Sequence, residues 1–117
     1  MKPIGPYSPY IKIGNLIFTS GQLPVNPQTG SLENDDIESQ TRQALNNLLD
    51  VIRESGAKPE NIVKLNLYLA DMEHFARVND IYQNFFSPVY PARTCVQVSR
   101  LPKDALVEVD AIAVTFK

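Results

Sequence analysis

Between Ile37 and Ile52 the residues Ile37, Thr41, Ala44, Leu45, Leu48 and Ile52 recur every three or four positions. From Val63 to Leu69, and again from Val107 to Ala113, apolar residues recur at every second position. The first period lays one stripe along a helix; the second lays one face along a strand. A chain that changes period in this way has to stack helices on a sheet, because each element has one apolar side to hide.

The boundaries follow from local signals. Asp35, with Glu38 three residues on, suits a capping box for the first helix. Gly56 stands where a left-handed C-terminal residue is needed, and Pro59 opposes continuation, so this helix spans two dozen residues at most. Asp71 can cap a second helix with the stripe Met72, Phe75, Val78, Tyr82 and Phe85 or Phe86, ended by Ser87-Pro88-Val89-Tyr90-Pro91. Upstream, Ile11-Lys12-Ile13 and Leu16-Ile17-Phe18-Thr19 flank a tight turn at Gly14-Asn15, and Pro24 to Gly30 reads as loop. Val63, Leu65, Leu67 and Leu69 form one face of a strand. Thr94 to Val98 is β-branched enough for another strand, and Leu101-Pro102-Lys103-Asp104 is a turn. The last strand, from about Leu106 to Val114, puts Val107, Val109, Ala111 and Ala113 on one face and Glu108, Asp110 and Ile112 on the other. The order is ββαβαββ: an α+β domain with a mixed sheet. No repeat or linker divides residues 1–117, so one domain is expected.

Composition narrows the function classes. With 44% hydrophobic and 21% charged residues, a packed core is expected. A formal net charge of -2 gives no electrostatic reason to expect nucleic acid or an anionic membrane as partner. The one cysteine, Cys95, allows no intrachain disulfide and fits a reducing compartment. The leading Met1-Lys2-Pro3-Ile4-Gly5-Pro6 lacks the apolar run of a signal peptide. No segment approaches the roughly 20 apolar residues that span a bilayer. A soluble, cytoplasmic protein is expected.

The common chemical motifs are missing: there is no GxGxxG and no Walker loop, and one His with one Cys cannot build a typical zinc site. A Ser-His-Asp triad would need His74, which the helix pattern places, exposed, in the first turn of the second helix. Arg93 enters a largely apolar strand on the same side as Cys95 and Gln97; it is either an edge residue reaching solvent or an anion clamp. Glu108, two residues before Asp110, is a solvated carboxylate, a structural ion-pair member or a catalytic group. Cys95 reads as a small buried hydrophobe, Ser20 as a strand-end turn residue or a ligand contact, and Tyr7 as a packing residue.

Several ordered segments carry more information together. They are Ile4-Gly5-Pro6-Tyr7-Ser8-Pro9, Gly14-Asn15-Leu16-Ile17-Phe18-Thr19-Ser20-Gly21-Gln22, Asn26-Pro27-Gln28-Thr29-Gly30, Pro91-Ala92-Arg93-Thr94-Cys95-Val96-Gln97-Val98, Leu101-Pro102-Lys103-Asp104 and Val107-Glu108-Val109-Asp110-Ala111-Ile112-Ala113. This set resembles the reactive intermediate deaminase (RidA, YjgF) family over nearly the whole chain. The resemblance implies a chorismate-mutase-like fold, two helices on one face of a mixed sheet, assembled as a homotrimer with clefts between subunits.

It also implies an enzyme that hydrolyses reactive 2-imino and enamino acids, such as 2-iminobutyrate and 2-aminoacrylate, to 2-keto acids and ammonia. No metal or organic cofactor is implied. Carried over residue by residue, Arg93 binds the substrate carboxylate and Glu108 is associated with the attacking water. Tyr7, Ser20, Gly21, Cys95, Tyr90 and Asn79 surround the substrate, with Gly21 offering backbone and Cys95 forming a wall. Two departures stand out: many members carry about ten more residues ahead of the Gly-Pro-Tyr segment, and Asp110 replaces a commoner glutamate. Two other functions compete with the deaminase, a non-catalytic 2-keto acid binding module and an RNA-cleaving inhibitor. The acidic balance and the lone His74 argue against the latter.

Overall fold

A computed structural model describes residues 5–115, so the leading Met1-Lys2-Pro3-Ile4 segment lies outside the described residues. The order is β1 (Tyr10–Ile13), β2 (Leu16–Thr19), α1 (Ile37–Glu54), β3 (Ile62–Leu69), α2 (Phe75–Phe86), β4 (Ala92–Gln97) and β5 (Val107–Val114). The five strands form one sheet in the order β1-β2-β5-β3-β4, in which only β3 and β4 run parallel. Helix-containing connections join β2 to β3 and β3 to β4, and both helices pack against the sheet around one core.

That core is the apolar stripe of α1 (Ala44, Leu45, Leu48, Ile52) and Val78, Ile81, Tyr82 and Phe86 of α2. They close on Ile17, Leu65, Leu67, Leu69, Val107, Val109, Ala111 and Ala113. The alternation of β5 holds as read, with its odd-numbered residues buried and Glu108, Asp110 and Ile112 on the opposite, open face. Gly56, at φ 94°, takes the left-handed conformation that closes α1. No helix among the described residues is long and apolar enough to cross a membrane.

Four expectations need correction. The cap of α1 is Asp36, not Asp35: its carboxylate accepts from the Ser39 amide at 2.8 Å. Asp36 stands directly before the buried Ile37 and has the extended backbone of a cap, φ -100° and ψ 150°. Met72–His74 form a separate 3₁₀ turn, in which the Asp71 carboxylate accepts from the Glu73 amide, and α2 begins only at Phe75. His74 is half-buried rather than exposed, with Nδ1 buried. Val63 is outside the core. A register shift between Ile62 and Lys64 makes it a bulge residue, so Ile62 is buried in its place.

The open face of the sheet is apolar at one end. The pairs Ile11–Phe18, Ile13–Leu16, Phe18–Ile112 and Leu16–Val114 each share that face, and Ile13 is 64% exposed. At the other end, Asp110 accepts from Asn66 Nδ2 at 2.8 Å and from the Tyr68 hydroxyl at 2.9 Å.

Candidate active site

One cleft, of about 360 Å³, is lined by Gly5, Tyr7, Ser20, Gly21, Leu23, Pro102 and Glu108. Its floor is built by an irregularity in the pairing of β2 with β5. Phe18 pairs with Ile112, while Gln22 bridges Val109 through Gln22 N–H to Val109 C=O at 2.6 Å and Val109 N–H to Gln22 C=O at 3.1 Å. Four residue steps on one side thus match three on the other, which leaves the Thr19-Ser20-Gly21 segment one residue too long for the ladder. The Thr19 hydroxyl accepts from the Ala111 amide at 3.0 Å at this break. Ser20 turns outward, and its hydroxyl donates to the Ser8 carbonyl at 2.6 Å while its amide donates to Pro9 at 2.9 Å. These two bonds hold the Tyr7 segment along the rim.

Glu108 enters this cleft from β5. Its carboxylate lies directly over Gly21, where any Cβ would collide with it, 2.9 Å from Cδ and 3.3 Å from Cγ. Burial, and secondarily the Asp110 carboxylate beside it, push the Glu108 carboxyl above the ordinary glutamate range. Tyr68, directly across from Glu108 on β3, is itself pushed up to about 12, first by burial and then by its hydrogen bond to Asp110, and stays a neutral donor.

A second cluster sits at the β4 edge, on the helix side of the sheet. Arg93 pairs with Leu65 and Cys95 with Leu67, so both share the face of those core leucines. The Arg93 guanidinium lies 4.8 Å from the Tyr82 ring centroid and 5.6 Å from that of Phe75, and Tyr90 stacks on Tyr82 at 6.4 Å. Flanking rings hold a guanidinium without consuming its N–H donors. Among the described residues no carboxylate forms a salt bridge with Arg93. Cys95 is half-buried, and burial pushes its thiol up despite the nearby arginine. Asn79 lies one turn beyond Phe75 on α2, and its buried Oδ1 has no partner among the described residues.

Tyr7, Ser20, Gly21 and Glu108 therefore converge on one side of the sheet, whereas Arg93, Cys95 and Tyr90, with Asn79 on the neighbouring helix, gather on the other. Within one chain the two groups do not meet. Strand β3 runs between Arg93 and Glu108. Their partners on it, Leu65 and Tyr68, are three residues apart, about 10 Å along the strand, and point to opposite faces. His74 belongs to neither group, and its Nδ1 has no hydrogen-bond partner among the described residues, so no carboxylate orients it as a triad requires. The ring supports Phe75 and Tyr82, and the Asn66-Tyr68-Asp110 network, were not singled out as site residues. In the sequence Phe75 and Tyr82 are only a helical stripe, and the network residues only polar positions on alternating strands.

Known proteins give this geometry a context. Residues 1–115 match the family model described as Endoribonuclease L-PSP. The 2-iminobutanoate/2-iminopropanoate deaminase of Escherichia coli K12 is 46% identical over 114 residues, covering 95% of this chain and 88% of that protein. The crystal structure of Escherichia coli TdcF with bound serine superposes with a TM-score of 0.93 at 41% identity, covering 97% of this chain and 91% of that one. The YjgF gene product of Escherichia coli does so with a TM-score of 0.92 at 44% identity, over 97% and 91%. The resemblance read from the sequence motifs is borne out: this chain belongs to the Endoribonuclease L-PSP family, the family of YjgF and RidA.

Proposed function

We propose that this protein is a cytoplasmic, cofactor-free imine deaminase acting as a homotrimer. Each active site would join the Arg93 cluster of one subunit to the Glu108 cleft of the next. The observation that carries this reading is the Arg93 guanidinium, held against two aromatic rings with no salt-bridge partner among the described residues and separated by the sheet from a carboxylate of raised proton affinity. Neither half completes a reaction centre alone. The exposed apolar end of the open sheet face supplies surface for assembly. Support for the substrate comes from the deaminase relative and from the serine bound to TdcF, a ligand that carries an α-carboxylate.

The chemistry follows from these groups. Arg93 holds the carboxylate of a 2-imino acid through two parallel N–H donors, fixing the plane of the C=N carbon. Water attacks that carbon as Glu108 takes one of its protons and delivers it to the nitrogen, giving the carbinolamine. Glu108 then takes the carbinolamine's hydroxyl proton and passes it to the nitrogen as the C–N bond breaks, releasing ammonia and the 2-keto acid. A carboxylate with raised proton affinity serves this exchange near neutral pH better than an ordinary glutamate. An enamine such as 2-aminoacrylate first tautomerises to its imine.

The test is ammonia release from 2-iminobutyrate and 2-iminopropionate generated in situ, compared with the spontaneous rate. Arg93→Ala removes a hydrogen bond to a charged group, about 1.5–3 kcal/mol, or about a 10- to 150-fold loss in kcat/KM. Arg93→Lys recovers little, because an ammonium lacks the planar fork. Wild-type turnover by a folded Arg93→Ala assembly would overturn the carboxylate clamp. Binding of 2-keto acids with no acceleration of imine hydrolysis would favour a sensor instead. The family description names an endoribonuclease, so RNA cleavage by the same preparation is the parallel assay.

A further inference from the structure

We infer that Gly21 is a positioning residue for catalysis: its missing side chain is the slot that holds the Glu108 carboxylate in the cleft. This rests on the proposed role of Glu108 in activating water. Gly21 is outside the left-handed region that the positive-φ glycines Gly14, Gly30 and Gly56 occupy, so its backbone conformation does not require glycine. What requires it is space. The three atoms nearest an ideal Cβ all belong to the Glu108 side chain: Oε2, Cδ and Cγ. Tyr7 and Leu23, which also line the cleft, contribute none of them.

The slot is a product of the pairing irregularity already described. The Gln22–Val109 bridge draws the Ser20-Gly21 backbone across the base of Glu108. Two residues along β5, the Asp110 carboxylate is held by Asn66 and Tyr68 and resists the approach of a second carboxylate. Glu108 thus rests on the Gly21 backbone with a fixed like charge beside it. A methyl group at position 21 removes this resting surface and drives the carboxylate outward. Because the obstructed atoms end a flexible side chain, the Gly21→Ala fold survives while the carboxylate moves.

The experiment compares wild type, Gly21→Ala, Glu108→Gln and the Gly21→Ala/Glu108→Gln double variant. It measures kcat on in-situ 2-iminobutyrate, Kd for 2-ketobutyrate, melting temperature and assembly state. General-base catalysis contributes about 10²- to 10⁴-fold. Gly21→Ala is expected to lose most of the factor that Glu108→Gln loses, with Kd and assembly unchanged. In the Glu108→Gln background it should lose nothing further, the non-additivity of two changes acting through one group. Wild-type kcat in Gly21→Ala, beside an impaired Glu108→Gln, overturns the slot alone. A raised Kd with kcat intact also overturns it, since the glycine would then make room for ligand. Wild-type kcat in Glu108→Gln overturns the role of Glu108 and the slot with it. Should Gly21→Ala not assemble, Gly21→Ala/Glu108→Asp takes its place. The shorter side chain withdraws the carboxylate from the atoms nearest the methyl and leaves only the Cγ position, 3.3 Å away, to give by a few tenths of an ångström. This variant must therefore assemble with the kcat of Glu108→Asp, and failure to do so makes Gly21 a structural glycine.

Discussion

Burial moves the proton affinities of Cys95 and Glu108 in the same direction, with opposite chemical consequences. Raising the Cys95 thiol keeps it protonated at neutral pH and makes it a poor nucleophile. Cys95→Ala should therefore retain most turnover, measured as ammonia release per folded assembly. Complete loss, or a trapped thioether to substrate, would replace the water mechanism with a covalent one. Raising the Glu108 carboxyl brings it nearer the working pH of a base. The acid limb of the kcat/KM profile should then lie above the ordinary glutamate value of 4.5 and vanish in Glu108→Gln. Linkage sets the stability sign. Between the unfolded and folded values the native state binds more protons, so stability falls as pH rises through that window. Glu108→Gln should accordingly raise the melting temperature near neutral pH more than in acid. Reading Glu108 and Arg93 as chemically distinctive was within reach of the sequence, since alternation put each among identifiable neighbours. The raised proton affinity was not, because it depends on the Gly21 backbone and Asp110 closing around Glu108.

Elements hold the site through a few long-range polar ties. Asn47, buried on α1, donates to the Leu23 carbonyl at 2.9 Å and the Val25 carbonyl at 2.8 Å, fixing the chain that follows Gln22. Gln40, one helical stretch earlier, donates to Asn34 and accepts from the Leu106 amide, setting the start of β5. Asn47→Ala strands buried carbonyls at about 1–3 kcal/mol, so thermal melting should show a loss of that order. The Leu23–Val25 segment should also exchange its amide hydrogens faster. The periodic elements were legible from Ile37 to Ile52 and from Val107 to Ala113, because one side of each is fully buried. The cap shift to Asp36, the separate turn at Met72–His74 and the Val63 bulge were not. Each is decided by a single hydrogen bond or register step that leaves the apolar period nearly unchanged. The role of Phe75 and Tyr82 escaped for a related reason: the period gives the side of the helix they occupy, but not that Arg93 on the edge strand β4 lies against it.

At the scale of the molecule, the separation of Arg93 from Glu108 by the sheet makes a quantitative test of assembly possible. Arg93 and Glu108 point from opposite faces, so a site that uses both must borrow one from a neighbouring copy. In a cyclic trimer each interface is heterologous, joining one surface of a subunit to a different surface of the next. Homotrimers of Arg93→Ala or of Glu108→Gln then carry no intact site. When the two variants are unfolded together in equal amounts and reassembled, a site is intact wherever a Glu108→Gln subunit supplies Arg93 and an Arg93→Ala subunit supplies Glu108. Random assembly does this at about one site in four, so activity should return to about a quarter of wild type from two preparations that are each nearly inactive. If both groups served one site within a single chain, mixing would restore nothing. A mixture that stays inactive while forming mixed trimers of native melting temperature would show that the two clusters do not share a site. Arg93 and Glu108 would then need separate functional explanations.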